Sequence, residues 1–277
     1  MGSDPRRRRW AKSIPAAVLL MGTMLYVAAG QAAAQDMIRF LDLTSEDFTK
    51  ADMTRTEIEA AIAAADPTTL VDLSGKRLNG LDLSRLDLRR TKLQAARLNR
   101  ANLAGANLDG VTLDQAWGLD ADLTGASLRG ASLFATQLVG AKLDGADLSG
   151  ARIAGDLSRA SLQRARLDRA DLSADMRNQS MGLMRGVLRS AKLDGASIEN
   201  ANLSRAVLEF ASLRDASLKG TKLNGSELGG ADFRGADVAD ADFDNADVTS
   251  ARLTGLRGRD QARNLDRVKN LDRAFLD

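Results

Sequence analysis

Residues 101–110 read ANLAGANLDG, and the triplet Ala-Asn-Leu returns after five positions. A period of five matches neither the 3.6-residue turn of an α-helix nor the two-residue alternation of a strand. Working outward, the same rhythm extends from about Val71 to Gly255. Apolar centres fall at Leu73, Leu78, Leu83, Leu88, Leu93, Leu98, Leu103, Leu108 and Leu113, then from Leu123 to Ile153, and again from Leu183 through Leu193, Ile198, Leu203 and Leu213 to Leu253. A small residue, usually Ala, stands two before most centres. A polar residue, often Asp or Asn, stands one before, and Gly often stands two after. On one long helix, steps of five would smear the leucines around every side, and the repeated Gly would cost roughly 1 kcal/mol each.

These units, A-(D/N)-L-x-x, resemble the pentapeptide-repeat family. The resemblance covers about two thirds of the chain with about three dozen units. It implies an all-β fold: a right-handed quadrilateral parallel β-helix with four pentapeptides per coil. Leu would fill the lumen, Ala the tighter place beside it, and Gly the corner angles that other residues resist. Coils stacked about 4.8 Å apart give about nine coils and a rod roughly 45 Å long. Pro has no N–H for such a ladder, and Pro5, Pro15 and Pro67 all precede the repeats.

The rhythm has three irregularities. Position 118 holds Gly where an apolar centre is due, and Leu119 stands one late. The spacing from Ile153 to Leu157 is short by one. Leu183 stands eleven positions after Leu172, across a stretch that includes Met176-Arg177-Asn178-Gln179-Ser180-Met181. Numbered modulo twenty, slots 118, 158 and 178 share one side with Leu98, Leu138, Ile198 and Leu218. The expectation is a single irregular face with Trp117, Met176, Arg177 and Met181 as candidate binding residues, since bulges re-aim side chains. The competing expectation is a face that tolerates length changes because nothing packs on it.

Ahead of the repeats, Arg6–Arg9 and Lys12 form a basic region, an apolar run spans Ile14 to Ala29, and Ala32-Ala33-Ala34 offers small residues for cleavage. This reads as a signal peptide over 1–34, cleaved after Ala34; an anchor over residues 14–30 is the alternative, although the run is short for a span of ~20. The expected localisation is periplasmic or secreted in a bacterium, or the inner membrane if the segment is uncleaved. Residues 35–70 form an N-terminal cap. Thr54-Arg55-Thr56-Glu57 fits a capping box and predicts a helix over about 56–65, closed by Pro67, covering the open end of the solenoid. Leu43, Phe48 and Met53 already step by five, so a degenerate coil is expected before it. After Gly255 the period changes to six in ARNLDR and VKNLDR, and 256–277 reads as an irregular or helical C-terminal cap.

The 277 residues contain no Cys and no His and carry a net charge of +2. Disulfides, thiol catalysis and His-dependent triads are thereby excluded. Lys76, Arg77, Arg85, Arg89 and Arg90 crowd the first coils, and Asp232, Asp237, Asp240, Asp242, Asp244 and Asp247 the last. A rod basic at its start and acidic near its end allows head-to-tail association or contact with an anionic surface. The acidic residues mostly fill the Asx slot of the repeat and lack a calcium-loop spacing, so no metal, cofactor or catalytic residue is assigned. The expected function is a non-catalytic exported scaffold that binds an envelope macromolecule, a protein rather than a nucleic acid. One alternative is a carbohydrate-binding or carbohydrate-active β-helix. Another is the DNA imitation of gyrase attributed to quinolone-resistance members of the family, which the export signal and balanced charge do not match.

Overall fold

The computed structural model describes residues 41–176 and 184–277. The proposed signal peptide, its cleavage site at Ala34, the alternative anchor, Arg177, Met181 and Leu183 lie outside the described residues. Among the described residues no helix is long and apolar enough to cross a membrane.

From Val71 onward the backbone winds as a four-sided parallel β-helix. Among the described residues only β1 (Val71–Asp72) and β2 (Thr91–Lys92) extend to two residues, paired in parallel. Every other side contributes one bridging residue. Face 1 is the column Arg77, Arg97, Trp117, Gln137, Asp156, Val187, Val207, Glu227, Asp247, Lys269. Face 2 begins at Asp82–Asn102, face 3 at Asp87–Asn107, and face 4 runs through Ser132–Arg152–Asp171.

One pentapeptide explains the consensus. The Leu103 N–H donates to Asp122 O (2.6 Å), Gly105 N–H to Thr124 O (2.9 Å), Ala106 N–H to Leu103 O (3.0 Å) and Asn107 N–H to Leu86 O (2.8 Å). The remaining donor, Ala104 N–H, reaches the side chain of Asn102 (3.0 Å). All five N–H groups are satisfied, as buried backbone requires. Asn or Asp before the centre is therefore a hydrogen-bond acceptor for the residue two further on. Leu103 and Ala101 are 1% and 0% exposed, and the lumen is a continuous column of such pairs from Leu73 to Leu253.

Where the residue before the centre is Ser, an acid from the preceding coil supplies the missing acceptor. Asp109 receives the Ser127 hydroxyl and the Arg129 N–H. Asp114 serves Ser132 and Phe134 in the same way, Asp144 serves Ser161 and Gln163, and Asp194 serves Ser212 and Arg214.

The irregularities resolve differently from the sequence expectation. Gly118 breaks no register: it keeps the centre slot, with Trp117 bridging Arg97 and Gln137. A Cβ there would meet Leu138 Cδ2 at 2.8 Å, so the Leu138 side chain occupies the space. The two true length changes do share a position. Gln137 pairs with Asp156, one residue short of a full coil, and Asp156 pairs with Val187, eleven residues long. Both fall where face 4 turns into face 1, in consecutive coils. The centre after Leu172 is Leu188, which follows Leu157 in the face 1 column. The net gain of ten residues shifts the phase by half a coil. Ile198 and Leu218 therefore follow Ser197 and Ser217 on face 3, opposite the side to which modulo-twenty counting assigned them.

The N-terminal segment is not a coil. Residues 46–49 form the single-turn helix α1 (Glu46–Thr49), and Ala51 pairs antiparallel with Leu78. Asp52 N–H donates to Arg77 O, and Arg77 N–H to the Asp52 carboxylate, which occupies an otherwise open ladder edge. Helix α2 (Arg55–Ala64) starts on a capping box in which Glu57 N–H donates to Thr54 Oγ1 and Thr54 N–H to Glu57 Oε2. Its Ile58 is fully buried in the core column.

Residues 256–277 form neither an irregular tail nor an α-helix. They make a final coil with six residues per side, whose bridging residues Arg257, Arg263, Lys269 and Phe275 pair with Asp237, Asp242, Asp247 and Arg252. The sixth residue accommodates a 3-10 turn at Arg259–Gln261, Leu265–Arg267 and Leu271–Arg273.

Candidate functional site

Face 1 carries additions along its length. At its start, Phe48 of α1 meets Trp117 edge-to-face with centroids 5.5 Å apart, and the Arg97 guanidinium lies 5.3 Å from the Phe48 ring centre. Asp47 receives Arg97 at 2.7 Å. Beneath this segment Asn79 and Asn99 are buried. Asn79 Nδ2 donates to the Asp47 and Lys50 carbonyls. Asn79 Oδ1 accepts the Asn99 N–H, and Asn99 Oδ1 accepts the Leu119 N–H. Arg97 and Trp117 have no side-chain acceptor to offer, so the asparagines of the preceding coil take that role. Trp117 is thus half-buried against the protein's own N-terminal segment, and the basic start of the rod is partly neutralised by Asp47 and Asp52.

In the middle of face 1 sits the insertion between Leu172 and Leu188. Its neck closes where Asp175 N–H donates to Met184 O at 2.7 Å. Arg152 of the adjoining coil donates to Asp175 Oδ2 (3.1 Å). Arg185 runs along the rod to the Arg205 carbonyl (3.1 Å) and Glu227 (2.8 Å). Val187 and Val207 point outward on this face yet are buried. Met176, at the neck, is 45% exposed. Trp117 lies three rungs from Val187, about 14 Å at the usual rung spacing; the structure does not bring Trp117 and Met176 into one site.

At the far end, face 1 holds a trough of about 590 Å³ lined by Glu209, Phe210, Glu227, Gly229, Gly230, Asn245, Asp247, Thr249, Ser250 and Lys269. Its floor is low because Gly229 and Gly230 carry no side chains. Phe210 occupies a corner with φ 59°, the left-handed region that costs a bulky residue about 1–2 kcal/mol. Its ring lies over Gly230: a Cβ on Gly230 would sit 2.6 Å from Phe210 Cδ1. Phe210 is nevertheless 68% exposed. The charges around it are matched. Arg189 pairs with Glu209 (2.7 Å) and Arg185 with Glu227 (2.8 Å), while Asp247 neighbours Lys269 in the ladder. Burial raises the Asp247 pKa, but hydrogen bonds with Thr249 and Asn270 outweigh it and hold the carboxyl below its ordinary value. Sequence reasoning missed Phe210. The available signal was an aromatic two residues after a centre, in a slot otherwise filled by Gly, Asx, Ser, Ala, Gln or Arg.

The acidic stretch of the last coils is likewise matched. Asp232 receives Arg234 and Arg214, each at 2.7 Å, Asp237 faces Lys219 at 3.4 Å and Asp244 faces Arg267 at 3.1 Å. The Arg234 hydrogen bond, with Arg214 beside it, holds the Asp232 carboxyl far below the usual carboxylate range against the opposing effect of burial. Among the described residues no group of three or more acidic side chains is placed to hold a metal ion.

A four-sided β-helix with a mainly aliphatic lumen and an Asx acceptor in most of its units, or borrowed from the coil before, defines a solenoid class. The pentapeptide-repeat family matches residues 70–116, 120–152 and 187–255 of this chain, more than half its length. The chain belongs to that family, whose members adopt a right-handed quadrilateral β-helix. Among solved structures it is similar to HetL of the cyanobacterium Nostoc, a pentapeptide-repeat protein involved in the regulation of heterocyst differentiation. That match is 29% identical, covers 76% of this chain and 92% of HetL, and has a TM-score of 0.44. The plasmid-mediated fluoroquinolone resistance protein QnrB1 is 19% identical over 73% of this chain and 89% of its own, with a TM-score of 0.46. No curated protein sequence matches the chain significantly.

Proposed function

We propose that this chain is an exported, non-catalytic scaffold of the bacterial periplasm or envelope, a rigid rod that holds the face 1 insertion towards a protein partner. The observation that carries this reading is the convergence of both length changes on one corner, with the neck tied to the coils on either side by Arg152–Asp175 and Arg185–Glu227. The other sides keep the five-residue rhythm up to the final coil. The basic and apolar N-terminal segment supports export.

Two measurements test the proposal. N-terminal sequencing of the protein from fractionated cells is expected to begin at Gln35 in the periplasmic fraction. An intact chain confined to the cytoplasm overturns export. A photo-crosslinker at Met176 is expected to capture a discrete envelope protein that the same group at Lys142 on face 2 does not. Equal capture from both positions, or none from Met176, overturns the role of the insertion.

A further inference from the structure

We propose that the trough beside Phe210 is a binding site for a neutral glycan, with one sugar ring stacked on the exposed face of the phenyl ring. This inference is independent of the role given to the insertion. Three observations carry it. Phe210 holds a strained left-handed corner and remains 68% exposed, so its position is not accounted for by core packing. The trough, about 590 Å³, falls within the range of small-ligand sites, ~300–1,000 Å³, and the glycine pair keeps its floor flat beside the ring. Its rim supplies hydrogen-bond donors and acceptors without net charge, because Glu209 and Glu227 are already met by Arg189 and Arg185, and Asp247 sits beside Lys269.

That combination selects the ligand class. An anionic ligand would meet three carboxylates, and a cationic one would meet Lys269 and two arginines that already hold their acids. A purely apolar ligand would strip water from the polar rim of Asn245, Thr249 and Ser250 without replacing its hydrogen bonds, although Asn245 and Thr249 each already donate one to Asp244 and Asp247. A pyranose offers a face of C–H groups to an aromatic ring and hydroxyls around its edge, which fits a phenyl platform inside a polar rim. The trough is open rather than enclosed by loops, so a chain of sugars can cross it from the Gly225 and Asn245 corner to the Phe210 and Ser250 corner.

The test uses chitotetraose and cellotetraose as neutral probes with the full mature chain, followed by saturation-transfer NMR and titration calorimetry. The wild-type protein is expected to transfer saturation to the C–H protons of at least one probe. Phe210→Gly is expected to weaken that binding by roughly tenfold or more, as loss of a central aromatic contact does, while the melting temperature stays level or rises because Gly suits the left-handed corner. Phe210→Trp is expected to restore binding. Gly230→Asp, which fills the floor, is expected to abolish it. Absence of transfer to both probes at millimolar concentration overturns the proposal, as does undiminished binding by Phe210→Gly. If instead the site binds an apolar peptide and neither sugar, the trough is a protein contact and the proposal fails.

Discussion

A middle coil, with centres at Leu138, Leu143, Leu148 and Ile153, and the final coil from Arg257 to Phe275 hang on the same ladder, yet they fill it differently. In the middle coil the residue after each bridge is an apolar centre, 5% exposed or less. In the final coil that residue is Gly258, Asn264 or Asn270, each in the left-handed conformation. Leu265 and Leu271 arrive one position later, on 3-10 turns, and lie half-buried against the last rung of the core. The two asparagines also donate to Asp242 (2.8 Å) and Asp247 (3.0 Å) in the coil before. Pairing therefore needs only one bridging residue per side. What lies between bridges is set by whether another coil follows. A lumen that ends must be roofed, and one extra residue per side turns a filler into a roof.

The strongest way to break this comparison is to remove a filler and a roof tile in parallel. Leu143→Ala is expected to cost about 2–5 kcal/mol, since a fully buried leucine leaves a cavity. Leu265→Ala, half-buried, is expected to cost about 1 kcal/mol. Denaturant midpoints followed by circular dichroism check this, and equal losses would mean that the final coil is core rather than cover.

Next in size are two glycines that share a left-handed φ but not a setting. A Cβ at Gly258 would lie 2.7 Å from the Ala239 backbone nitrogen, whereas nothing lies within 4 Å of one at Gly130. Gly258→Ala is expected to cost about 2–3 kcal/mol and to speed amide exchange in the last coil. Gly130→Ala is expected to cost about 1 kcal/mol.

Smaller again is the borrowed acceptor. Asp144→Ala is expected to cost about 1–2 kcal/mol, because it strips the Ser161 hydroxyl and the Gln163 N–H of their partner. Restoring an acid in place, with Ser161→Asp on that background, is expected to recover most of the melting temperature. Failure to recover would show that the borrowing rule is not an energetic equivalence.

The smallest effect concerns acid. Asp232 is held below its ordinary pKa by Arg234 and Arg214. A carboxylate depressed in the folded state adds stability above its unfolded value near ~4 and loses it as pH falls towards the folded value. Both arginines are about half exposed, so solvent screening limits the gain to about 1 kcal/mol. The melting temperature of Asp232→Asn is expected to lie below wild type at neutral pH, with the gap narrowing as the solution is acidified below pH ~4. A constant gap would assign the loss to packing instead.

Much of this molecule was legible in the chain itself. The five-residue spacing named the solenoid, the capping box announced α2, and the shift to a period of six marked the last coil as different. The borrowed acceptors were not read from the chain, because the Asp that serves each Ser lies a coil earlier, eighteen residues away for Asp109, Asp114 and Asp194 but seventeen for Asp144 across the shortened coil. The candidate site was less legible. Trp117 read as an available contact, but Phe48 covers it from a segment nearly seventy residues upstream in sequence. Counting modulo twenty put Ile198 and Leu218 on the wrong side, because the count could not tell a lost coil segment from an inserted loop.

Sequence alone therefore determined the unit: which residue fills, which accepts a hydrogen bond and which turns the corner, since each depends on neighbours within five positions. Only the tertiary structure decided which units share a face, what covers Trp117, and that Phe210 stands exposed over a glycine floor. Those facts depend on how coils stack, and an insertion of unknown shape erases that phase from any linear reading.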